Sequence, residues 1–161
     1  MKQHYILSII LLSHFFFTSV NAQTWQWGER GGSADGTVGS GANEYPVDVA
    51  VDQNGNSYVL SYNVGKTSLS VGSQSVTKNF GSYDIMLASF NCGGQLRWIK
   101  IIGCKAEDRA DALCTDKNGG VYISFRSILA SGNTNDVYFD NDATKTISNT
   151  QGALCYKSVF L

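Results

Sequence analysis

Proline occurs once in these 161 residues, and histidine only as His4 and His14. Charged residues make up 16 % and the formal net charge is -1. No Cys-x-x-Cys is present, no apolar run long enough to span a bilayer follows residue 17, and helical spacing of apolar positions is hard to find after residue 23. Each shortage excludes something. Low charge combined with 43 % hydrophobic and 12 % aromatic residues excludes disorder, and the single proline excludes collagen. Lysines and arginines are scattered singly, which leaves nucleic acid no electrostatic footprint. Without the paired-cysteine motif, a zinc or redox site has no spacing to rest on.

What is present starts with a leader. Residues 1–5 carry one Lys, residues 6–17 are apolar apart from Ser8, Ser13 and His14, and Val20-Asn21-Ala22 supplies small residues where a signal peptidase needs them. The expectation is a signal peptide over 1–22, cleaved after Ala22. The mature chain 23–161 is then secreted or held at the cell surface, with no membrane span after cleavage; an uncleaved signal anchor is the alternative. Cleavage removes both histidines. That excludes Ser-His-Asp and Cys-His nucleophiles and His-ligated zinc, because each depends on imidazole. Carboxylate chemistry stays open.

Cys92, Cys104, Cys114 and Cys155 remain in the mature chain, enough for two disulfides with three connectivities in an oxidising compartment. Cys114 lies in the apolar run Ala112-Leu113-Cys114-Thr115 and reads as a small buried thiol. Cys92 and Cys104 sit beside glycines and are the better bridge candidates, with no pairing preferred.

Short β-branched and aromatic runs bounded by Gly and Asn predict strands at 47–52, 57–63, 84–90, 95–102, 112–116, 120–126 and 155–161. Asn54-Gly55 and Asn118-Gly119 mark hairpins, since Asn-Gly favours the positive φ angles of a tight turn. Pro46 is expected just ahead of its strand, where a missing N–H does little harm.

Self-comparison is more informative than these local signals. The segment Asp52-Gln-Asn54-Gly55-Asn56-Ser57-Tyr58-Val59 returns 64 residues later as Asp116-Lys-Asn118-Gly119-Gly120-Val121-Tyr122-Ile123. Trp27-x4-Gly32 returns as Trp98-x4-Gly103 at an offset of 71, which makes the loop after the first Trp seven residues longer. Asp84-Ile-Met-Leu87 matches Ser158-Val-Phe-Leu161 at an offset of 74. A unit of about four strands repeated in this way is the signature of a propeller blade.

A Trp strand ending in Gly, a run ending Asp-x-x-Gly-Asn-x-Tyr-Val, an Asp-led apolar strand reaching Phe90, and the closing Gly94-Gln-Leu-Arg-Trp98 resemble the β-propeller (SBBP) repeats of secreted bacterial proteins. The likeness spans 25–161 and is clearest over 47–126. Gly120 and Ser158 depart from it, standing where the pattern prefers Asn and Asp. The resemblance implies an adhesin-like or carbohydrate-handling module, an analogy at the level of the fold. Leu161 falls inside a strand, and two repeats cannot close a ring of four to eight blades. Further repeats missing from the chain, or self-association, would complete it.

No residue set identifies a catalytic, cofactor-binding or metal site, and no cofactor is implied. Asp52 and Asp116 open Asp-x-Asn loops, but Gly comes fourth and no acid stands near the twelfth position, unlike a calcium loop. A hairpin-stabilising role is the expectation for both. Asp136, Asp140 and Asp142 form a second acidic group, read as a solvated loop with calcium as the alternative. Glu29, Glu44, Glu107, Asp108 and Asp111 follow the Trp strands and offer an acid/base set without a distinguishing spacing. Trp25, Trp27, Trp98, Tyr45, Tyr58, Tyr62, Tyr83 and Tyr122 would suit stacking on sugars, although recurrence of Trp27/Trp98 and Tyr58/Tyr122 points to packing between repeats.

The fold class expected is all-β, with about two propeller-like four-stranded units in an incomplete ring and a small β-sandwich as the alternative. The function expected is a secreted or surface-exposed scaffold or binding module for a protein or glycan ligand. The alternative is part of an extracellular carbohydrate-active enzyme that uses carboxylates or a downstream catalytic domain.

Overall fold

The computed structural model describes residues 27–33, 43–64, 68–77, 81, 83–128, 136–140, 142–147 and 155–160. The leader expected at 1–22, Trp25 and the terminal Leu161 lie outside the described residues. Among the described residues the protein is all-β. The strands are β1 (Gly31–Ser33), β2 (Glu44–Val51), β3 (Ser57–Asn63), β4 (Ser68–Val71), β5 (Gln74–Thr77), β6 (Asp84–Phe90), β7 (Leu96–Gly103), β8 (Glu107–Thr115), β9 (Val121–Ile128), β10 (Val137–Phe139), β11 (Asp142–Ile147) and β12 (Cys155–Phe160). They form three antiparallel sheets in the orders β1-β4-β5, β11-β10-β7-β6-β3-β2 and β12-β9-β8, none of them closed.

Two units recur in space as well as in sequence. In the first, β2, β3, β6 and β7 lie side by side, and the hairpin β4–β5, inserted between β3 and β6, leaves to join β1. In the second, β8, β9 and β12 lie side by side, and the inserted hairpin β10–β11 leaves to join β7 of the first unit. The two departures are made alike. Gly31 pairs with Val71 and Gly32 with Ser70, as Ile102 pairs with Phe139 and Gly103 with Tyr138. The Gly72 N–H donates to the Arg30 carbonyl at 2.8 Å, as the Asp140 N–H does to the Ile101 carbonyl at 2.7 Å.

Both leading hairpins carry a β-bulge at the same place, Val47 in β2 and Asp111 in β8. A bulge adds one residue to one strand, bends it and increases its twist. Pro46 is therefore inside β2 rather than ahead of it; β2 is a sheet edge, and an edge beside a bulge is where a residue without an N–H is tolerated. The last repeated strand also differs from its sequence match. Cys155 stands opposite Ser127 as Asp84 stands opposite Asn63, an offset of 71 rather than 74. The apolar match ignored the hairpin register that fixes which residues face each other.

β6 is buried along its whole length because sheets cover both of its faces. On one side Tyr58, Leu60, Ile85, Leu87 and Ile102 pack with Leu113, Ile123 and Phe125 of the second unit. On the other side Met86, Ala88 and Ile101 pack with Leu69 and Val71 of the β1–β4–β5 sheet. Full burial of one such aliphatic or aromatic side chain contributes about 1.5–3 kcal/mol, so the inter-unit layer is the main source of stability.

Candidate functional site

Three turns cluster at one end of the molecule, and all are built the same way. The Asp52 carboxylate Oδ1 accepts the N–H groups of Asn54 and Asn56, each at 2.9 Å. Asp116 Oδ1 accepts those of Asn118 and Gly120, each at 2.8 Å. Asn91 Oδ1 accepts those of Gly93 and Gln95, at 3.0 and 2.9 Å. The sequence reading missed this third turn because it contains no Asn-Gly; its signal was an Asx residue followed three positions later by Gly. In each turn only the fourth residue (Gly55, Gly94 or Gly119) has positive φ, which makes a type I turn closed by a glycine bulge rather than a two-residue Asn-Gly turn. At Gly94 a second constraint applies, since a Cβ there would meet the Trp27 indole at 2.3 Å.

The aspartate turns reach further into the sheets. Tyr58 donates its hydroxyl hydrogen to Asp52 Oδ2 at 3.0 Å, and Tyr122 does the same to Asp116 Oδ2 at 2.9 Å. Partial burial acts to raise the Asp52 pKa, but the bonds from Asn56, Tyr58 and Asn54 together outweigh it and hold the carboxyl below its ordinary value. Asp116 is lowered chiefly by the Gly120 N–H and the Tyr122 hydroxyl. Tyr122 is raised in return, because its proton is held by Asp116. The hairpin-stabilising role expected of both aspartates matches this geometry.

Beside these turns, a bulge in β7 sets up the candidate site. Ser89 pairs with Trp98 and Phe90 with Leu96, so Arg97 is the extra residue. The bulge re-aims it: the Arg97 Nη1 donates to the Tyr58 hydroxyl at 3.2 Å and to Ser89 Oγ at 3.1 Å. The Tyr58 and Trp98 rings meet at 5.9 Å. Together with Lys100, and with Gly119 and Val121 of the second unit, these side chains line a cleft of about 300 Å³ between the units. Lys100 is already engaged by the Asp140 carboxylate, which also accepts the Ile101 N–H at 3.2 Å. Among the described residues, Arg97 forms no ion pair and its Nε and Nη2 have no acceptor.

The carboxylates singled out as an acid/base set are dispersed and occupied. Glu44 Oε1 accepts the Ser33 N–H at 2.8 Å, and Asp108 Oδ2 accepts the Cys104 N–H at 2.6 Å, equivalent clamps on the two strands that follow the Trp positions. Asp108 also accepts from Ser127 Oγ. Glu107 pairs with Arg109 at 3.0 Å, Asp111 lies 3.8 Å from Arg126, and Glu29 accepts the Arg30 N–H at 3.4 Å. Of the second acidic group, Asp140 holds Lys100 and a backbone N–H, and the Asp142 side chain lies outside the described residues.

Aromatic residues divide between core and surface. Tyr58 is buried and Trp98 packs against the inter-unit core, but Trp27, its sequence counterpart, is exposed and stacks on Phe90 at 5.5 Å. Tyr45 stacks on Tyr62, whose ring meets that of Tyr83 at a tilt, with Arg109 over the Tyr83 ring at 5.3 Å. The cysteine assignment is reversed. Cys104 is the buried thiol, pushed up to about 12 by burial and the neighbouring Asp108 charge, whereas Cys114 is exposed. Cys92, Cys104 and Cys114 are free thiols, and the Cys155 side chain lies outside the described residues. No helix among the described residues is long and apolar enough to cross a membrane.

No family model, no curated protein and no solved structure matches the chain.

Proposed function

We infer that this chain is an exported or surface-displayed β-repeat binding scaffold, that its two units are propeller-type blades, and that the inter-unit cleft takes an acidic glycan residue. One observation carries the reading: the β7 bulge turns Arg97, which has no carboxylate partner among the described residues, into a cleft floored by Tyr58 and Trp98. With Nη1 held by Tyr58 and Ser89, the Nε and Nη2 edge forms the planar fork that suits a carboxylate, and the aromatic rings offer an apolar surface for a sugar ring. A cleft of about 300 Å³ is at the small end for ligand sites and suits one ring rather than an extended chain. The leader supports export, and the recurring strand pairs, bulges and turns support the blade reading. Glu29, Glu44, Glu107, Asp108 and Asp111 each already have a partner, which favours binding over the carboxylate-enzyme alternative.

The test is titration with glucuronic acid and with glucose, followed by tryptophan fluorescence and calorimetry. Glucuronic acid is expected to bind, Arg97→Gln to abolish binding with the fold intact, and glucose to bind at least tenfold more weakly. Equal binding of the two sugars, or binding that survives in Arg97→Gln, overturns the assignment.

A further inference from the structure

Arg97 and Lys100 both line the inter-unit cleft, and their charges are treated differently. Arg97 forms no ion pair among the described residues, whereas the Lys100 ammonium is held by the Asp140 carboxylate. Asp140 sits in the turn after β10 with φ 55°, the one non-glycine with positive φ among the described residues. A left-handed conformation is uncommon for a residue with a Cβ, and strain held beside a cleft points to function.

The fold itself does not require this residue. The matching corner of the first unit is made by Gly72 at φ 57°, whose N–H reaches the Arg30 carbonyl as the Asp140 N–H reaches that of Ile101. Glu29 stands there in the place of Lys100, 71 residues earlier. The hairpin therefore leaves its unit without either the turn carboxylate or the strand ammonium. What the second unit's pair does is set the charge of the cleft. Asp140 cancels Lys100 and leaves Arg97 to receive one carboxylate, and a second anionic group on the same ring would meet the Asp140 carboxylate beside the lysine. A repulsive group that turns away the wrong ligand creates specificity as an attractive one does. We propose that Asp140 is a specificity-determining residue that restricts the cleft to sugar rings with a single negative charge and turns away sulfated uronic acids. The proposal rests on the reading of the cleft as an acidic-glycan site.

Calorimetric titration of the full chain with glucuronic acid and with glucuronic acid 2-sulfate tests it. The wild type is expected to bind glucuronic acid at least tenfold more tightly than the sulfated ring. Asp140→Gly keeps the left-handed turn as Gly72 does, and Asp140→Asn removes only the charge. In both, affinity for the sulfated ring should rise at least tenfold and the preference should vanish. The gain should be lost again in Asp140→Gly/Lys100→Gln. A purely structural ion pair would leave the ratio of the two affinities unchanged. Glucuronic acid binding with an unaltered ratio in both single variants, or a gain that survives the loss of Lys100, overturns the role of Asp140 and leaves the glycan reading standing. A wild type that binds neither sugar overturns both.

Discussion

The two units share turns, bulges and strand pairs yet differ in what their equivalent side chains are asked to do. Leu60 is fully buried between the units, whereas its counterpart Ser124 lies on the second unit's outer face and is partly solvent-exposed. Asp108 is fully buried and bonded to Cys104 and Ser127, whereas its counterpart Glu44 performs the same backbone clamp in solvent. Gly72 occupies a left-handed turn position at φ 57°, and Asp140 occupies the matching one at φ 55°, accepting the modest strain in return for its bonds to Lys100 and the Ile101 N–H. Backbone plan and side-chain burial are thus separable. The plan is set by turn and bulge chemistry, which both units keep, and burial is set by which face meets the neighbour.

The sharpest way to break this comparison is to exchange residues between equivalent positions. Leu60→Ser should destabilise the protein by about 3–5 kcal/mol, the cost of a cavity plus a buried hydroxyl. Ser124→Leu should fall within about 0.5 kcal/mol, as surface changes do. Urea titration of both variants measures the difference, and equal effects would mean that the faces are not distinct. A smaller contrast separates the two acid clamps. Asp108→Ala leaves buried donors unsatisfied and should cost about 2–3 kcal/mol, while Glu44→Ala exposes its donor to water and should cost under about 1 kcal/mol.

The smallest effect concerns the turns. Asp52 and Asp116 both have folded-state pKa values below the ordinary 3.8, so the stability they contribute is present above that value and is lost as pH falls through the lower folded values. The melting temperature should therefore decline below about pH 4, and the decline should be shallower in Asp52→Asn/Asp116→Asn. A melting temperature flat down to pH 2, or one equally steep in the double variant, would show that the carboxylates are not what the turns depend on.

Strand positions at 57–63 and 84–90 and both aspartate turns were legible in the sequence, because short apolar and aromatic runs and Asn-Gly turns are local signals. The hairpin β4–β5 was legible and overlooked: Leu69, Val71 and Val76 alternate around the two-residue loop Gly72-Ser73. The candidate site was not legible. Arg97 reaches Tyr58 only because of a bulge, and a bulge is a property of paired strands that neither strand's sequence announces. Cys114 was misplaced for a related reason. Adjacent strand residues face opposite ways, and in β8 only the Leu113 side is buried against the first unit, while Cys114 is exposed; the apolar run alone does not say which of the two faces is covered.

The hairpin β10–β11, which leaves its own unit to extend the sheet of the other, constrains how the chain can fold. The chain between β9 and β12 is paired to β7, so in the native structure the second unit is tied to the first through its own inserted hairpin. Repeat arrays whose units touch only along one interface can lose an end unit while the rest stays folded. A strand exchange of this kind removes that freedom. The two units should melt in one transition, and the reliance on pairings distant in sequence should place folding toward the slow, millisecond-to-second end of the range for small β proteins.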